Sequence, residues 1–226
     1  MSRGRCVAVI PVKPFRIALG RLADALTPKE RWQLQHAMLE DVLEACRQSP
    51  GVDPLVVTAD HEAVRLARRE GADVVADYNP PRGMNAAVRL GLVRAGMRRA
   101  EAALVLPADL PLITSEDLRS LVGAATGAPE VVLVPSRDGT GTNALLLTPP
   151  GVLEPELGPG SLARHLQQAS RRGCPARCIR LPGVALDIDT PDDLAALMAT
   201  SNGSRARRAM EHHVYERPLA AAGSLR

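Results

Sequence analysis

The sequence predicts an α/β fold with a doubly wound, mainly parallel sheet, and two observations support this class. Short apolar runs alternate with amphipathic segments of helical length over about the first 200 residues, the pattern of repeated strand–helix units. One Phe, one Trp and two Tyr are the whole aromatic content, so the core has to be built from Val, Leu, Ile and Ala, as in a buried parallel sheet. The scarcity of aromatic residues and the net charge of only +3 argue against a nucleic-acid partner.

The expected elements alternate in order along the chain. The first strand covers Cys6–Pro11, and a capping box that begins at Thr27 starts a helix that ends near Arg47. Further strands are expected at Pro54–Thr58, Ala72–Ala76, Ala102–Leu106, Val131–Val134 and Ala144–Leu147. Further helices are expected at His61–Glu70, at Asn85–Arg94 with Ala86, Leu90 and Val93 on one apolar face, after Thr114, at Ser161–Arg171 and after Thr190.

Residues 1–200 are therefore expected to form one domain, and residues 201–226 a disordered tail. The tail starts with the linker-like Asn202-Gly203-Ser204, continues with the basic run Arg205–Arg208 and shows no sustained periodicity. The four cysteines lack the spacing of a zinc site, and no apolar stretch reaches the ~20 residues of a membrane span. We therefore expect a cytoplasmic protein with reduced cysteines and no membrane partner.

The segment V-L-P-A-D-L-P-L at Val105–Leu112 carries the clearest sign of function. A buried strand runs into Asp109, and prolines on either side hold this carboxylate at the carboxyl end of the strand, where open α/β sheets bind ligands. A carboxylate in this place is a natural ligand of magnesium, which in turn binds the phosphates of a nucleoside triphosphate. The alternative is an aspartate that caps the next turn or helix.

A second cluster lies in the loop after the first strand. It contains Pro11, Lys13 and, further along, Arg21. In a doubly wound fold this loop binds phosphate, and cations and backbone amides neutralise the phosphate charge. The chain has neither a Walker sequence nor a G-x-G-x-x-G motif, which argues against a P-loop kinase and a standard dinucleotide dehydrogenase. For either cation alone, a solvated surface position is the simpler interpretation.

Three glycine-containing segments follow, and each has two interpretations. Asn85, after Arg82-Gly83-Met84, either caps a helix or offers its amide to a base or ribose. The run Arg137–Asn143 is either a hairpin turn or an anion-binding loop. Ser161, after Gly158-Pro159-Gly160, is either an N-cap or part of an anion site, and His165 one turn later is expected to be structural.

Asp187 and Asp189 complete the set of expected site residues. Alternation in a strand would place both carboxylates on one face with Ile188 buried behind them, and either could meet Asp109 across a metal ion. No serine or cysteine has a plausible histidine partner in the sequence. Positioning and charge neutralisation therefore have to provide the catalysis, as in phosphoryl and nucleotidyl transfer.

Several of these motifs occur together in one known family. They are I-P-V-K-P at Ile10–Pro14, R-L at Arg21–Leu22, A-M-L-x-D-V-L at Ala37–Leu43, P-A-D-L-P at Pro107–Pro111, G-T-G-T-N-A-L at Gly139–Leu145, G-x-x-S at Gly158–Ser161 with His165, and D-I-D-T-P-D-D-L at Asp187–Leu194. In this combination the chain resembles the guanylyltransferases of deazaflavin coenzyme F(420) biosynthesis, which act on phosphoenolpyruvate or 2-phospho-L-lactate. The resemblance covers about residues 5–200. It implies a three-layer Rossmann-like nucleotidyltransferase fold that is GT-A-like.

The resemblance also implies roles for the site residues. Magnesium is implied at Asp109 together with Asp187 or Asp189. The carboxylate or phosphate of a three-carbon acceptor is implied to bind at Thr142, Gly158 and Ser161. Together with the cations of the loop after the first strand, this gives Lys13, Arg21 and Asp109 as the expected catalytic residues. The expected GTP-binding residues are Pro11, Lys13, Arg21 and Asn85. The family usually has A-K-S-R-L where this chain has Ala18–Leu22, so Lys13 and Arg21 are the remaining cations of the loop.

The implied reaction is transfer of GMP from GTP to phosphoenolpyruvate, which yields enolpyruvoyl-2-diphospho-5'-guanosine and pyrophosphate. Phosphoenolpyruvate is preferred because the Ala-, Arg- and Gly-rich composition indicates a GC-rich bacterial genome, and 2-phospho-L-lactate and 3-phospho-D-glycerate are alternatives. A molybdenum-cofactor nucleotidyltransferase would start with a Gly-rich loop that Pro11–Pro14 does not match. The alternative to an enzyme is a non-catalytic module that only binds a nucleotide. The expected partners are GTP, the acceptor, the transferase that uses the product and, in a homodimer, a second copy of the chain.

Overall fold

A computed structural model describes residues 5–76 and 83–216, without the side chains of residues 212–216. Arg82 and residues 217–226, which entered the sequence predictions, lie outside the described residues. The strands are β1 Cys6–Val12, β2 Val52–Thr58, β3 Asp73–Ala76, β4 Ala102–Val105, β5 Glu130–Pro135, β6 Thr142–Thr148 and β7 Ala176–Cys178. The helices are α1 Pro28–Arg47, α2 His61–Arg69, α3 Met84–Met97, α4 Ser115–Ala124, α5 Ser161–Arg171, α6 Pro182–Ala185, α7 Pro191–Ala199 and α8 Arg205–Glu216.

The described strands form one sheet in the order β3-β2-β1-β4-β6-β5-β7. β1 pairs in parallel with β2 and β4, β2 with β3, and β5 with β7. β6 is antiparallel to both β4 and β5. The predicted mainly parallel α/β sheet is therefore confirmed. Because β1, β2 and β4 are parallel neighbours, their carboxyl ends meet at one edge of the sheet, where such folds bind ligands.

Helices cover both faces of this sheet and give it three layers. α1, α2 and α4 pack on one face through residues such as Leu39, Leu66 and Leu118. α3 and α5 pack on the other face through residues such as Leu92 and Ala169. Every residue of β1 is buried, which explains why this strand is a continuous apolar run rather than an alternating one. None of the helices in residues 5–76 and 83–216 is long and apolar enough to cross a membrane.

The buried face of α3 differs from the predicted one. The sequence pattern placed Ala86, Leu90 and Val93 toward the core, but Val93 is 61% exposed. The structure buries Val88, Gly91, Leu92 and Ala95, and Leu90 of the predicted face also packs against this apolar cluster. A Cβ atom on Gly91 would lie 2.2 Å from a methyl carbon of Val9, so this glycine permits close contact between helix and sheet. Close packing at one small residue therefore decides which face of an evenly apolar helix is buried.

The predicted disordered tail is wrong for residues 205–216, which form α8. Ala206 and Met210 are 0% and 1% exposed and belong to a third apolar cluster with α1. The buried Asp41 carboxylate on α1 accepts hydrogen bonds from the backbone N–H groups of Arg205 at 2.9 Å and Ala206 at 3.0 Å. These bonds cap the first turn of α8. The sequence pattern of this basic run gave no sign of docking, because the carboxylate that caps α8 lies more than 160 residues earlier in the chain.

Candidate active site

A cavity of about 440 Å³ opens at the carboxyl edge of the sheet, within the size range of small-molecule sites. Its wall comes from the ends of β1 and β2, the loop after β4, the start of α3 and the loop between β1 and α1. Most of this wall is apolar, and the polar side chains that line it are Lys13, Gln35, Thr58, Asp109 and Asp189. Pro11 also lines the cavity. The structure thus places four of the predicted residues, Pro11, Lys13, Asp109 and Asp189, around one space.

Asp109 carries the unusual electrostatics of this cavity. Its Oδ1 atom is buried and has no hydrogen-bond partner in the described structure. Burial, followed by repulsion from Asp187 and Asp189, raises the pKa of Asp109 to about 7, although Lys13 acts in the opposite direction. A buried carboxylate oxygen without a hydrogen-bond partner is costly unless a cation or a proton neutralises its charge. The side chain therefore has the properties of a ligand for a hard cation.

Asp187 and Asp189 lie beside Asp109 in a segment that belongs to no strand or helix. Ile188 between them is fully buried, and its backbone N–H donates to the carbonyl oxygen of Asp109 at 3.1 Å. This bond joins the two carboxylate-bearing segments directly. The expected alternation of side chains is therefore present, although this segment is held by a backbone bond to the loop after β4 and by side-chain hydrogen bonds instead of a sheet ladder.

Asn143 orients Asp187 and was missing from the predicted site residues. Its buried amide nitrogen lies 3.0 Å from Asp187 Oδ1, and it also contacts the carbonyl oxygens of Val184 and Ala185 at 3.1 and 3.0 Å. Burial raises the pKa of Asp187, and the hydrogen bond from Asn143 opposes this rise. Neighbouring residues of a strand point to opposite faces, so Asn143 turns toward Asp187 while Thr142 turns away from it. The sequence signal that could have identified Asn143 is its position next to Thr142 at the start of a strand, because adjacent strand residues face opposite sides.

Arg21 contacts a carboxylate rather than the cavity wall. Its Nη1 atom lies 3.2 Å from Asp189 Oδ2, and the two side chains are 70% and 45% exposed. An exposed ion pair of this kind contributes little to stability. Arg21 can therefore exchange Asp189 for a phosphate group at small energetic cost.

The carboxylate set fits magnesium, provided that a substrate supplies further ligands. In residues 5–76 and 83–216 no three His, Cys, Asp or Glu side chains are arranged to hold a metal ion by themselves. Magnesium is commonly bound by one or two carboxylates together with substrate phosphates and water. Asp109, whose Oδ1 atom has no partner, together with one of the neighbouring carboxylates of Asp187 and Asp189 would meet this requirement.

A second group of predicted residues lies where β6 meets α5. Thr142 Oγ1 is 3.1 Å from Nδ1 of the buried His165, and burial lowers the pKa of His165 to about 4. Ser161 is 1% exposed, and its Oγ atom has no hydrogen-bond partner among the described residues. Gly158 has φ +113°, which only glycine adopts easily, and its carbonyl oxygen accepts from Ser161 N–H at 3.0 Å. The structure thus brings Thr142, Gly158 and Ser161 together at the start of α5.

Asn85 connects the two groups but does not line the described cavity. Its Nδ2 atom donates to the carbonyl oxygen of Leu157 at 3.2 Å, and its Oδ1 atom accepts from Leu157 N–H at 2.7 Å. Its side chain does not cap α3, whose N-cap residue is Gly83. In this arrangement Asn85 fixes the segment before Gly158 through both atoms of its amide, and its expected contact with a base or ribose stays a prediction.

Within the run Arg137–Asn143, the hairpin turn between β5 and β6 ends at Gly141, and Thr142 and Asn143 already belong to β6. Asp138 accepts hydrogen bonds from the backbone and the hydroxyl of Thr140 at 3.0 and 2.8 Å. A hydrogen bond from the Ser136 hydroxyl, followed by these two bonds, lowers the pKa of Asp138 to about 2. The turn satisfies its own small polar residues, so the hairpin interpretation accounts for them without a bound anion.

Comparison with known proteins identifies the family. The family model described as "Guanylyl transferase CofC like" matches residues 6–215. The chain belongs to this family. The phosphoenolpyruvate guanylyltransferase of Conexibacter woesei is 45% identical over 193 residues, which cover 84% of this chain and 86% of that protein. The phosphoenolpyruvate guanylyltransferase of Rubrobacter xylanophilus is 43% identical over 203 residues and matches 89% of this chain and 98% of its own length.

Solved structures agree with this assignment at the level of the fold. A Desulfovibrio desulfuricans protein assigned to the nucleotide-diphospho-sugar transferases has a TM-score of 0.72 and 14% identity, and the match covers 95% of this chain and 96% of that one. A nucleotidyl transferase from Methanothermobacter has a TM-score of 0.62 and 16% identity, over 85% of this chain and 95% of that one. The Rossmann-like nucleotidyltransferase fold is therefore confirmed.

In this guanylyl transferase the predicted residues fall into two groups around the sheet edge. Lys13, Asp109 and Asp189 line the cavity, with Asp187 beside Asp109 and Arg21 paired to Asp189. Thr142 and Ser161 form the second group at the start of α5. The adjacent residues Thr142 and Asn143 link the groups, because each turns toward one of them.

Proposed function

We propose that this protein transfers GMP from GTP to phosphoenolpyruvate and releases pyrophosphate. An acceptor phosphate oxygen forms a bond to the α-phosphorus of GTP, the bond from that phosphorus to the bridging oxygen breaks, and the product is enolpyruvoyl-2-diphospho-5'-guanosine. The proposal is supported by the family membership and by the names of relatives such as the Conexibacter woesei protein. The observation that carries it is the apolar cavity lined by Asp109, whose buried Oδ1 atom has no hydrogen-bond partner among the described residues.

The cavity residues suit the triphosphate end of GTP. Lys13 lines the cavity close enough to Asp109 to affect the pKa of that carboxyl, and its ammonium group binds phosphate oxygens. Arg21 supplies a second cation when it leaves Asp189. Asp109, with Asp187 or Asp189, would hold magnesium, which when bound neutralises phosphate charge and stabilises the leaving pyrophosphate. Asn143 keeps Asp187 oriented for this role.

The second group of residues suits a small dianion. The Thr142 and Ser161 hydroxyl groups lie at the start of α5, where the helix dipole favours negative charge. No general base is required from the protein, because a phosphate monoester with a second pKa near ~6 is already a dianion at neutral pH. The buried neutral His165 therefore does not have to accept a proton.

Two other acceptors carry the same charged groups as phosphoenolpyruvate. 2-Phospho-L-lactate and 3-phospho-D-glycerate also carry one phosphate and one carboxylate on three carbons. Phosphoenolpyruvate is preferred because the relatives at 43–45% identity carry that name. A transferase that uses the diphosphate-linked product would act after this enzyme.

Product analysis tests the acceptor. The purified protein is incubated with GTP, Mg²⁺ and each of the three acids in turn, pyrophosphate release is followed, and the nucleotide product is identified by mass spectrometry. We expect turnover with phosphoenolpyruvate. Turnover with another acid alone would show that the acceptor is wrong, whereas no pyrophosphate with any acid would favour a non-catalytic nucleotide-binding module.

Substitution of the hydroxyl groups tests the division of the site. Thr142→Val and Ser161→Ala should each raise the acceptor KM by roughly 10- to 150-fold, because a hydrogen bond to a charged group contributes about 1.5–3 kcal/mol. The GTP KM should change much less. Thr140→Val is the matched control, since that hydroxyl is used within the hairpin turn. If the GTP KM rises most, the α5 group binds the nucleotide and the assignment is reversed.

A further inference from the structure

His165 is a buried histidine that the mechanism above does not use, yet both of its ring nitrogens are engaged. The ring is 0% exposed. The backbone N–H of Glu156 points at Nε2 over 3.0 Å, and Thr142 Oγ1 lies 3.1 Å from Nδ1. The ring therefore joins a backbone amide to a hydroxyl that is proposed to bind the acceptor.

These two contacts determine where the ring carries its proton. A backbone N–H can only donate, so Nε2 has to be the unprotonated nitrogen that accepts from Glu156. In a neutral imidazole the proton is then on Nδ1, and Nδ1–H donates to Thr142 Oγ1. Burial keeps the ring neutral, since it lowers the pKa of His165 to about 4.

The donor role of Nδ1 restricts the Thr142 hydroxyl in turn. A hydroxyl group has one hydrogen and two lone pairs. Because His165 donates to a lone pair of Thr142 Oγ1, the hydroxyl hydrogen cannot also point at the ring. The described contacts give Thr142 Oγ1 no other partner, so this hydrogen remains available to a ligand. Ser161, one turn before His165 on α5, also has a hydroxyl without a partner among the described residues.

We propose that His165 is a positioning residue which, as the Nδ1–H tautomer, fixes the Thr142 hydroxyl as a hydrogen-bond donor toward the anionic group of the acceptor. The role of Thr142 in acceptor binding rests on the proposed function. The tautomer itself depends only on the contacts with Glu156 and Thr142.

The tautomer is measured first, without turnover. Protein labelled with ¹⁵N-histidine is examined by NMR between pH 6 and 8, and His165→Leu assigns the His165 signals. We expect Nδ1 to be protonated and Nε2 to show the shift of an unprotonated nitrogen across this range. A proton on Nε2, or an averaged pair of signals, would overturn the proposal whatever the enzyme's substrate is.

Two substitutions then separate the two ring contacts. The amide of His165→Asn reaches the Nδ1 position and still donates to Thr142, whereas the amide of His165→Gln reaches the Nε2 position and can accept only from Glu156. We expect His165→Asn to keep the acceptor KM within about twofold of wild type. His165→Gln should raise the acceptor KM about two- to twelve-fold, the effect of one neutral hydrogen bond of ~0.5–1.5 kcal/mol, and leave the GTP KM unchanged.

A double substitution distinguishes positioning from a general structural effect. In a Thr142→Val background, His165→Gln should have no further effect on the acceptor KM, because the hydroxyl that it orients is gone. An equal effect in both backgrounds, or equal losses in the Asn and Gln variants, would overturn the positioning role. Failure of the proposed function is distinguishable, since it would appear as no turnover by the wild-type protein with any acceptor, while the NMR result would still report the tautomer.

Discussion

Asp109→Asn should abolish turnover and at the same time make the metal-free protein more stable at pH 8. The asparagine keeps the shape of the side chain but cannot ionise. In the wild-type protein the pKa of Asp109 is about 7, above its ordinary value of 3.8, because of burial and the adjacent Asp187 and Asp189. The folded protein therefore binds more protons than the unfolded chain between about pH 4 and 7. Its free energy of unfolding falls as the pH rises through this window.

The size of the effect follows from this difference in pKa. A rise from 3.8 to about 7 corresponds to at most ~4 kcal/mol of unfolding free energy lost at pH 8, since one pKa unit equals about 1.4 kcal/mol. For a chain of this length, 1 kcal/mol changes Tm by roughly 2–4 °C. If Asp109→Asn recovers half of this lost unfolding free energy, Tm should rise by ~4–8 °C at pH 8. The gain should nearly vanish near pH 4, where the carboxyl is protonated in the folded protein and half protonated in the unfolded chain.

Thermal melting with a chelator, at pH 8 and near pH 4, measures this effect, and pyrophosphate release with GTP and acceptor measures turnover. Asp138→Asn is a control of opposite sign, because hydrogen bonds lower the pKa of Asp138 to about 2 and its charge stabilises the turn. A metal-free Asp109→Asn protein that is no more stable than wild type at pH 8 would refute the electrostatic reasoning. Near-normal turnover at saturating Mg²⁺ would refute the role of Asp109 as a metal ligand.

Three further predictions concern α8, α3 and Asn143. Deletion of residues 201–226 should lower Tm strongly, since loss of the buried Met210 side chain alone costs about 2–5 kcal/mol; an unchanged melting curve would show that α8 does not dock. In urea unfolding, Gly91→Ala should destabilise by about 1–3 kcal/mol because its Cβ would clash with β1, whereas Gly96→Ala in the same helix meets open space and should stabilise by up to ~1 kcal/mol. Asn143→Ala should raise the Mg²⁺ concentration needed for half-maximal thermal stabilisation by roughly 10- to 100-fold, and an unchanged Mg²⁺ response would remove Asn143 from the metal site.

The fold was largely predictable because its determinants are local. Continuous apolar runs such as Cys6–Pro11 identify buried parallel strands. The capping box predicted at Thr27 is present in the structure, and the helices expected after Thr114 and Thr190 start there with capping boxes as well. β7 was missed because its three residues are all exposed, which removes the apolar signal on which a strand prediction depends. The prediction that Val93 of α3 is buried was wrong, because hydrophobic spacing does not show how closely a glycine allows a helix to approach a sheet.

The sequence by itself determined the fold class and the chemical character of the site: carboxylates after a buried strand, cations in the first loop and hydroxyls before a helix. The tertiary structure decided which of these residues meet. It paired Ile188 with Asp109 and Asn143 with Asp187, engaged Asn85 with Leu157 and docked α8 on Asp41. Each of these contacts joins polar groups far apart in the chain, and their partners are fixed by the crossing of strands and helices. No local pattern encodes such a pairing, because hydrogen bonds and desolvation depend on distances that exist only after the chain has folded.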